Sequence, residues 1–252
     1  MSTSKPTILI LHGAWHSPPH YQSLVTLLNA AGYPTLCPTQ PTFDAKPPTK
    51  TLHNDAEFVQ GILKELIEEE GKEVVLALHS YSGVVGTQAV TEEFSKAARE
   101  KRGLEGGVIR LLFMAGFVLK HGMSLGSAFG GGLPPFVPVE EDGSCNMLEP
   151  ARRFYNDLPS SEQEHWVSLL RPHPAIAQLT PLTNVGHKYV PSTYLLCEKY
   201  EALPLEVQRG MVDSVSGEVY GGNMETTSCG AGHSPFLDMP EKVVEVIEGF
   251  GK

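Results

Sequence analysis

Residues 73–90 read EVVLALHSYSGVVGTQAV, an apolar run that meets a run of small residues through His79-Ser80-Tyr81-Ser82-Gly83. A continuous Val- and Leu-rich segment of this length reads as a strand buried on both faces, and the small residues after it as the start of a helix. A sharp strand-to-helix turn that holds a serine hydroxyl outward pinches the backbone, so small neighbours are required around it. Ser82 and Gly83 supply them downstream. Upstream, Leu78 stands where the G-x-S-x-G pattern has glycine, so the motif is imperfect. Ser80 is the candidate nucleophile; the plainer alternative is a serine that merely ends a strand.

Working outward, further strand candidates are TILILHG from residue 7, TLCP from 35, VIRLLFMAG from 108, STYLLCE from 192 and METTSC from 224. They alternate with helical patterns, which predicts an α/β fold: a mainly parallel sheet covered by helices on both faces. The clearest helix is LHNDAEFVQGILKELIEEEG, with Phe58, Ile62, Leu63, Leu66 and Ile67 at helical spacing and Gly71 as its stop signal. The alternation lapses after FMAGFVLKHG. The expected organisation is therefore a core in two parts, residues 1–119 and 191–252, interrupted by a cap insertion at 120–190. Glycines 126 and 130 to 132 follow no strand and open no evident helix, so they mark a loop and not a dinucleotide fingerprint.

The composition narrows the function classes. With 252 residues, 41% hydrophobic and 19% charged, the chain fits one principal globular core. A net charge of −10 repels nucleic acid and anionic membrane, leaving a small-molecule partner as the expectation. No apolar run approaches the roughly 20 residues of a membrane helix, and the N-terminal run ends in His-Gly without a small-residue cleavage site, so it reads as a first strand. The four cysteines are far apart and form no C-x-x-C pair; free thiols in a reducing cytoplasm are expected.

Two further segments carry chemistry. CGAGHSPFLDMPEKV places His233 on a Gly-flanked loop between the last strand candidate and a terminal helix, where a base reaching the Ser80 turn belongs. LILHGAWHSPPHY follows the first strand with a turn whose Ala14 amide, together with that of Tyr81, can form an oxyanion hole. His12, His16 and His20 are spaced by four, but Pro18 and Pro19 interrupt any helix that would align them on a metal, and no H-E-x-x-H occurs. No metal and no organic cofactor are expected.

These segments, with VIRLLFMAGFV, ARRFYNDLP and PLTNVGHKYVPSTYLLCEKYEALP, resemble the α/β-hydrolase superfamily, in particular its compact branch of plant methylesterases, hydroxynitrile lyases and their bacterial and fungal esterase-like relatives. The resemblance implies Ser80 as nucleophile, His233 as general base and then acid, and the Ala14 and Tyr81 amides as oxyanion hole. It also implies a carboxylate just after TYLLCEK, where the family usually has Asp and this chain has Tyr200.

A neutral phenol offers no full negative charge to an imidazolium, whereas the usual Asp both orients the ring and stabilises its charge. Three arrangements compete: Glu201 takes the role from one residue on, Glu198 takes it from the strand end, or Ser80 and His233 act as a dyad beside Tyr200. Candidate pocket residues are Trp15, Phe129, Phe136, Phe154, Trp166 and His187, although cap aromatics also pack a core of their own. The expected function is serine-dependent hydrolysis of a small, largely apolar ester, thioester or lactone, with fungal secondary metabolism as the setting that the cap resemblance suggests. A lyase or cyclisation reaction in the same pocket, and a ligand-binding protein on a degraded hydrolase, are the alternatives.

Overall fold

The computed structural model describes residues 5–251. Among the described residues there are eight strands: β1 (Thr7–Leu11), β2 (Thr35–Leu36), β3 (Glu73–His79), β4 (Gly107–Met114), β5 (Ser144–Cys145), β6 (His173–Pro174), β7 (Ser192–Cys197) and β8 (Glu225–Cys229). Six form one sheet in the order β2-β1-β3-β4-β7-β8 with every pair parallel. The central strands read as unbroken apolar runs because both faces are covered: Val74 to Leu78 and Ile8 to Leu11 are all fully buried. The edge strand β8 is instead Thr- and Ser-rich and largely exposed.

Helices α1 (Gln22–Ala30), α2 (Leu52–Lys64), α3 (Ser82–Ala89) and α4 (Lys96–Lys101) connect the first four sheet strands. The chain steps one way from β1 to β2, then back across β1 to β3. Right-handed crossovers in opposite directions put α1 and α2 on opposite faces. Accordingly α1 packs with the C-terminal helix, and α2 with α3. Of the residues at helical spacing, Leu63 is buried in α2 and Leu66 and Ile67 are buried from the wider turn that follows at 65–69, whereas Ile62 is half-buried and Phe58 lies on the outer side; Val59, outside that set, is buried as well.

Between β4 and β7 the chain builds short pieces: α5 (Leu125–Ala128), α6 (Pro150–Tyr155), α7 (Ser160–Ser168) and α8 (Ala175–Leu179), with β5 and β6 as a two-stranded antiparallel ribbon. Trp15, at the turn after β1, ties this segment down by donating its Nε1–H to the Cys145 carbonyl at 2.8 Å. After β7 come α9 (Leu205–Ser214), then β8, α10 (Pro235–Asp238) and α11 (Pro240–Glu248). The four cysteines are free thiols, with the sulfurs of Cys197 and Cys229 facing each other at 4.0 Å across β7 and β8. No helix among the described residues is long and apolar enough to cross a membrane.

In a parallel sheet every strand leaves from the same edge. The turns after β1, β3, β4, β7 and β8 therefore converge, bringing Gly13, Ser80, Phe117, Tyr200 and His233 to the carboxyl end of the sheet from positions up to 220 residues apart in sequence, as 233 − 13 gives.

Candidate active site

Ser80 follows β3 directly and holds φ at +55°, the left-handed region that a non-glycine residue enters only when its surroundings enforce it. They do so here. Its N–H donates to the Met114 carbonyl at 3.2 Å, and its carbonyl accepts from the amides of Gly83 and Phe117 at 3.0 and 3.1 Å. Ser82 Oγ donates to the carbonyls of Leu11 and His79, stitching the turn to β1. Two glycines let the chain approach this closely. A Cβ on Gly13 would lie 2.8 Å from His79 Nδ1 and 3.1 Å from Ser80 Cβ, and one on Gly86 would collide with the Leu78 side chain. Leu78 at the irregular motif position is thus accommodated by a gap one helical turn beyond the elbow, in α3.

Ser80 lines a narrow apolar cleft together with Ala14, Tyr81, Trp15, Phe154 and Tyr200. The amides of Ala14 and Tyr81 donate to no protein acceptor among the described residues, and both residues border the cleft beside Ser80. That is the disposition a developing oxyanion requires. Phe129 and Phe136 also line the cleft. Trp166 and His187 do not. Trp166 lies over His20, whose Nε2–H donates to its carbonyl at 3.3 Å, and His187 is buried beside the 218–220 segment, where its own carbonyl accepts from the Tyr220 amide. Phe117, Leu125, Met147, Gln178 and Leu203 border the cleft as well. Of these, Phe117 had a usable signal, since it follows a central parallel strand; Leu125, Met147 and Gln178 are placed by the folding of the segment between β4 and β7, and Leu203 by the loop after β7.

His233 is fully buried, with its ring stacked against Phe154 at 4.8 Å and packed on Tyr200 at 4.5 Å and His79 at 4.4 Å between centroids. Burial, and then the nearby His16, push its pKa well below the ordinary value, so the imidazole is neutral and able to take a proton at pH 7. Neither ring nitrogen has a hydrogen-bond partner among the described residues, Ser80 included. Tyr200 touches the imidazole with its ring face, makes no hydrogen bond to it, and stays protonated because burial raises its pKa. Glu201 points outward to Arg152 at 2.9 Å, and Glu198 is exposed. The structure brings neither carboxylate to His233.

A hydrogen-bonded chain runs beneath these groups. The Gly13 amide donates to Tyr21 Oη at 3.0 Å, Tyr21 donates to His79 Nδ1 at 2.6 Å, and His79 Nε2–H donates to the His233 carbonyl at 2.9 Å. The turn after β1 and the loop that bears His233 are therefore held by one relay through the residue preceding Ser80. His16 is arranged in the same way, donating from Nδ1 to the Ala14 carbonyl and accepting at Nε2 from Tyr155. One nitrogen each from His16, His79 and His233 lies within 4.8 Å of the others, a spacing that could admit a metal ion. The hydrogen bonds already made by both nitrogens of His16 and of His79 oppose that use, since a ligand nitrogen must turn its lone pair to the metal. On the far side of Ser80, the Tyr81 hydroxyl donates to the buried Asp55 at 2.9 Å, beside two hydrogen bonds from Thr42. Burial pushes the Asp55 carboxyl up to about 6.

Comparison with known proteins agrees with this geometry. A family model described as "Alpha/beta hydrolase family" matches residues 8–246. The chain is 33% identical over 254 aligned residues to the "Alpha/beta hydrolase nvfD" of Aspergillus novofumigatus (strain IBT 16806), covering 96% of this chain and 95% of that one. Among solved structures it is similar to polyneuridine aldehyde esterase, with a TM-score of 0.73, 18% identity and coverage of 98% and 100%. It is also similar to the methylesterase protein MES16 from Arabidopsis, with a TM-score of 0.69, 18% identity and coverage of 97% and 99%. From its sheet order, its serine elbow and these matches, the chain belongs to the α/β hydrolase family.

Proposed function

We propose that this protein is a serine-dependent hydrolase of a small, largely apolar ester, with thioesters and lactones in the same substrate class. The observation that carries this reading is the meeting, at one apolar cleft, of Ser80 in its strained turn with the two unengaged amides of Ala14 and Tyr81, backed by the neutral imidazole of His233.

Ser80 Oγ attacks the carbonyl carbon while His233 takes its proton. The Ala14 and Tyr81 amides receive the negative charge that develops on the carbonyl oxygen, which favours the transition state over the ground state. His233 then returns the proton to the departing alcohol, thiol or ring oxygen. Water, deprotonated by the same imidazole, releases the acyl group from Ser80. The cleft walls of Trp15, Phe117, Phe129, Phe136 and Phe154 select an apolar acyl or alkyl part, and few polar side chains are present to read a charged one. The similarity to a fungal hydrolase supports a fungal setting, within which a small secondary metabolite is the substrate we propose.

A second reading has one observation in its favour: a protonated Tyr200 hydroxyl lines the cleft where the family has a carboxylate, so a phenol is available as proton donor to a lyase or cyclisation step. Hydrolysis of p-nitrophenyl acetate, butyrate and octanoate separates the two. The hydrolase reading expects turnover that Ser80→Ala and His233→Ala each reduce by about 10³-fold or more. Turnover that persists in Ser80→Ala overturns it.

A further inference from the structure

We infer that Asp157, carried by the inserted segment just after α6, is the carboxylate that supports His233 in place of the residue at position 200. It acts as a positioning residue within the proposed hydrolase mechanism, on which this inference rests.

The structure ties Asp157 to the base loop directly: its Oδ2 accepts the hydrogen bond of the Gly232 amide, the residue bonded to His233. The approach is close: a Cβ at position 232 would meet Asn156 Oδ1 at 2.5 Å and Asp157 Oδ2 at 3.0 Å, so glycine there lets this turn close on the loop without displacing either side chain. The same turn grips the other side of the site, because Asn156 Nδ2 donates to the Lys199 carbonyl at 3.1 Å, next to Tyr200. Phe154, three residues before Asp157, stacks on the His233 ring. One short segment therefore contacts the imidazole, the loop that bears it and the loop that bears Tyr200.

The unpaired atoms complete the argument. Asp157 Oδ1 is buried with no hydrogen-bond partner, as are both ring nitrogens of His233. A buried carboxylate oxygen left without a donor is costly, and so is a buried imidazolium left without an acceptor. Both needs are met when His233 takes the Ser80 proton. The imidazolium then carries N–H at both nitrogens, one directed to the leaving group and the other available to the carboxylate. The proton passes from Ser80 Oγ to His233 and on to the leaving group; Asp157 accepts a hydrogen bond and does not take the proton. The other carboxyl nearby, Asp238, is a poorer source of charge, because burial and then Asp157 itself raise its pKa.

Asp157→Asn tests this, since it keeps an acceptor for the Gly232 amide and nearly the same volume while removing the charge. The expected result is a fall in kcat of about 10²- to 10⁴-fold with KM and thermal midpoint little changed, partly restored in Asp157→Glu. An Asn variant whose kcat stays within about threefold of wild type overturns the inference. Ser80→Ala in the same assay separates the two claims: if it stays active, the hydrolase reading itself fails; if it is inactive while Asp157→Asn is active, only the role of Asp157 fails. A second measurement needs no variant. Wild-type protein phosphonylated at Ser80 holds the imidazolium, and its proton spectrum should show a far-downfield, slowly exchanging Nδ1–H; its absence overturns the inference as well.

Discussion

Acidification should unfold this protein at an unusually mild pH. His12, His16, His79, His173, His187 and His233 are all buried, and burial lowers each pKa: to about 4 for His12 and His187, to about 3 for His173, and well below 6.5 for the other three. A folded chain that keeps these rings neutral competes with an unfolded chain in which each titrates near 6.5. The stability they contribute is whole above that value and is lost as pH falls through it. Between pH 7 and about 5.5 each ring accounts for about 1.2 kcal/mol, so the six together remove about 7 kcal/mol. Asp55 works the other way. Its folded pKa, about 6, lies above the unfolded 3.8, so its burial penalises the folded state most at neutral pH; the relief on acidification is about 1 kcal/mol by pH 5.5. A domain with a typical total of about 5–15 kcal/mol should therefore unfold between about pH 4 and 6. The transition should be steep, with a net uptake of about five protons. Far-ultraviolet circular dichroism against pH at fixed ionic strength reads both quantities. A native signal that persists well below pH 4, or a transition taking up only about one proton, is incompatible with six neutral buried imidazoles.

The strain at Ser80 predicts a trade between stability and activity: Ser80→Gly relaxes φ +55° and should raise stability by about 1 kcal/mol in thermal or urea melts while abolishing ester turnover. Tyr81→Phe removes the hydroxyl that donates to the Asp55 carboxylate, which should cost about 2 kcal/mol at pH 7 and less below about pH 6, as Asp55 becomes protonated; urea melts at the two pH values compare them.

The features legible in the sequence were those that local chemistry dictates. The apolar run of β3, the small residues after Ser80 and the loop around His233 follow from strand burial, backbone crowding and topology, and each is visible within about twenty residues. Leu78 looked like a defect because its compensation, Gly86, lies a full turn into the next helix. The segment between β4 and β7 was legible only as a lapse in alternation. Its strands have two residues each, and a period-2 pattern cannot show in two residues. Trp166 turns to His20 and His187 to a buried site away from the cleft, because aromatic and imidazole rings are consumed in local packing as readily as in a pocket. The support of His233 was sought beside Tyr200 in the chain, at Glu201 and Glu198. The carboxylate that reaches the base loop is 76 residues earlier than His233, as 233 − 157 gives, and only the fold of the inserted segment brings it there.

Activation of Ser80 as a nucleophile by His233 is read out by incubating the folded protein with a fluorophosphonate and locating the adduct by peptide mass spectrometry. One equivalent should bind at Ser80, none in Ser80→Ala, and labelling should slow by about 10²-fold or more in His233→Ala. Folded wild-type protein that takes up no label, or that is labelled at another residue with Ser80 unmodified, would contradict it.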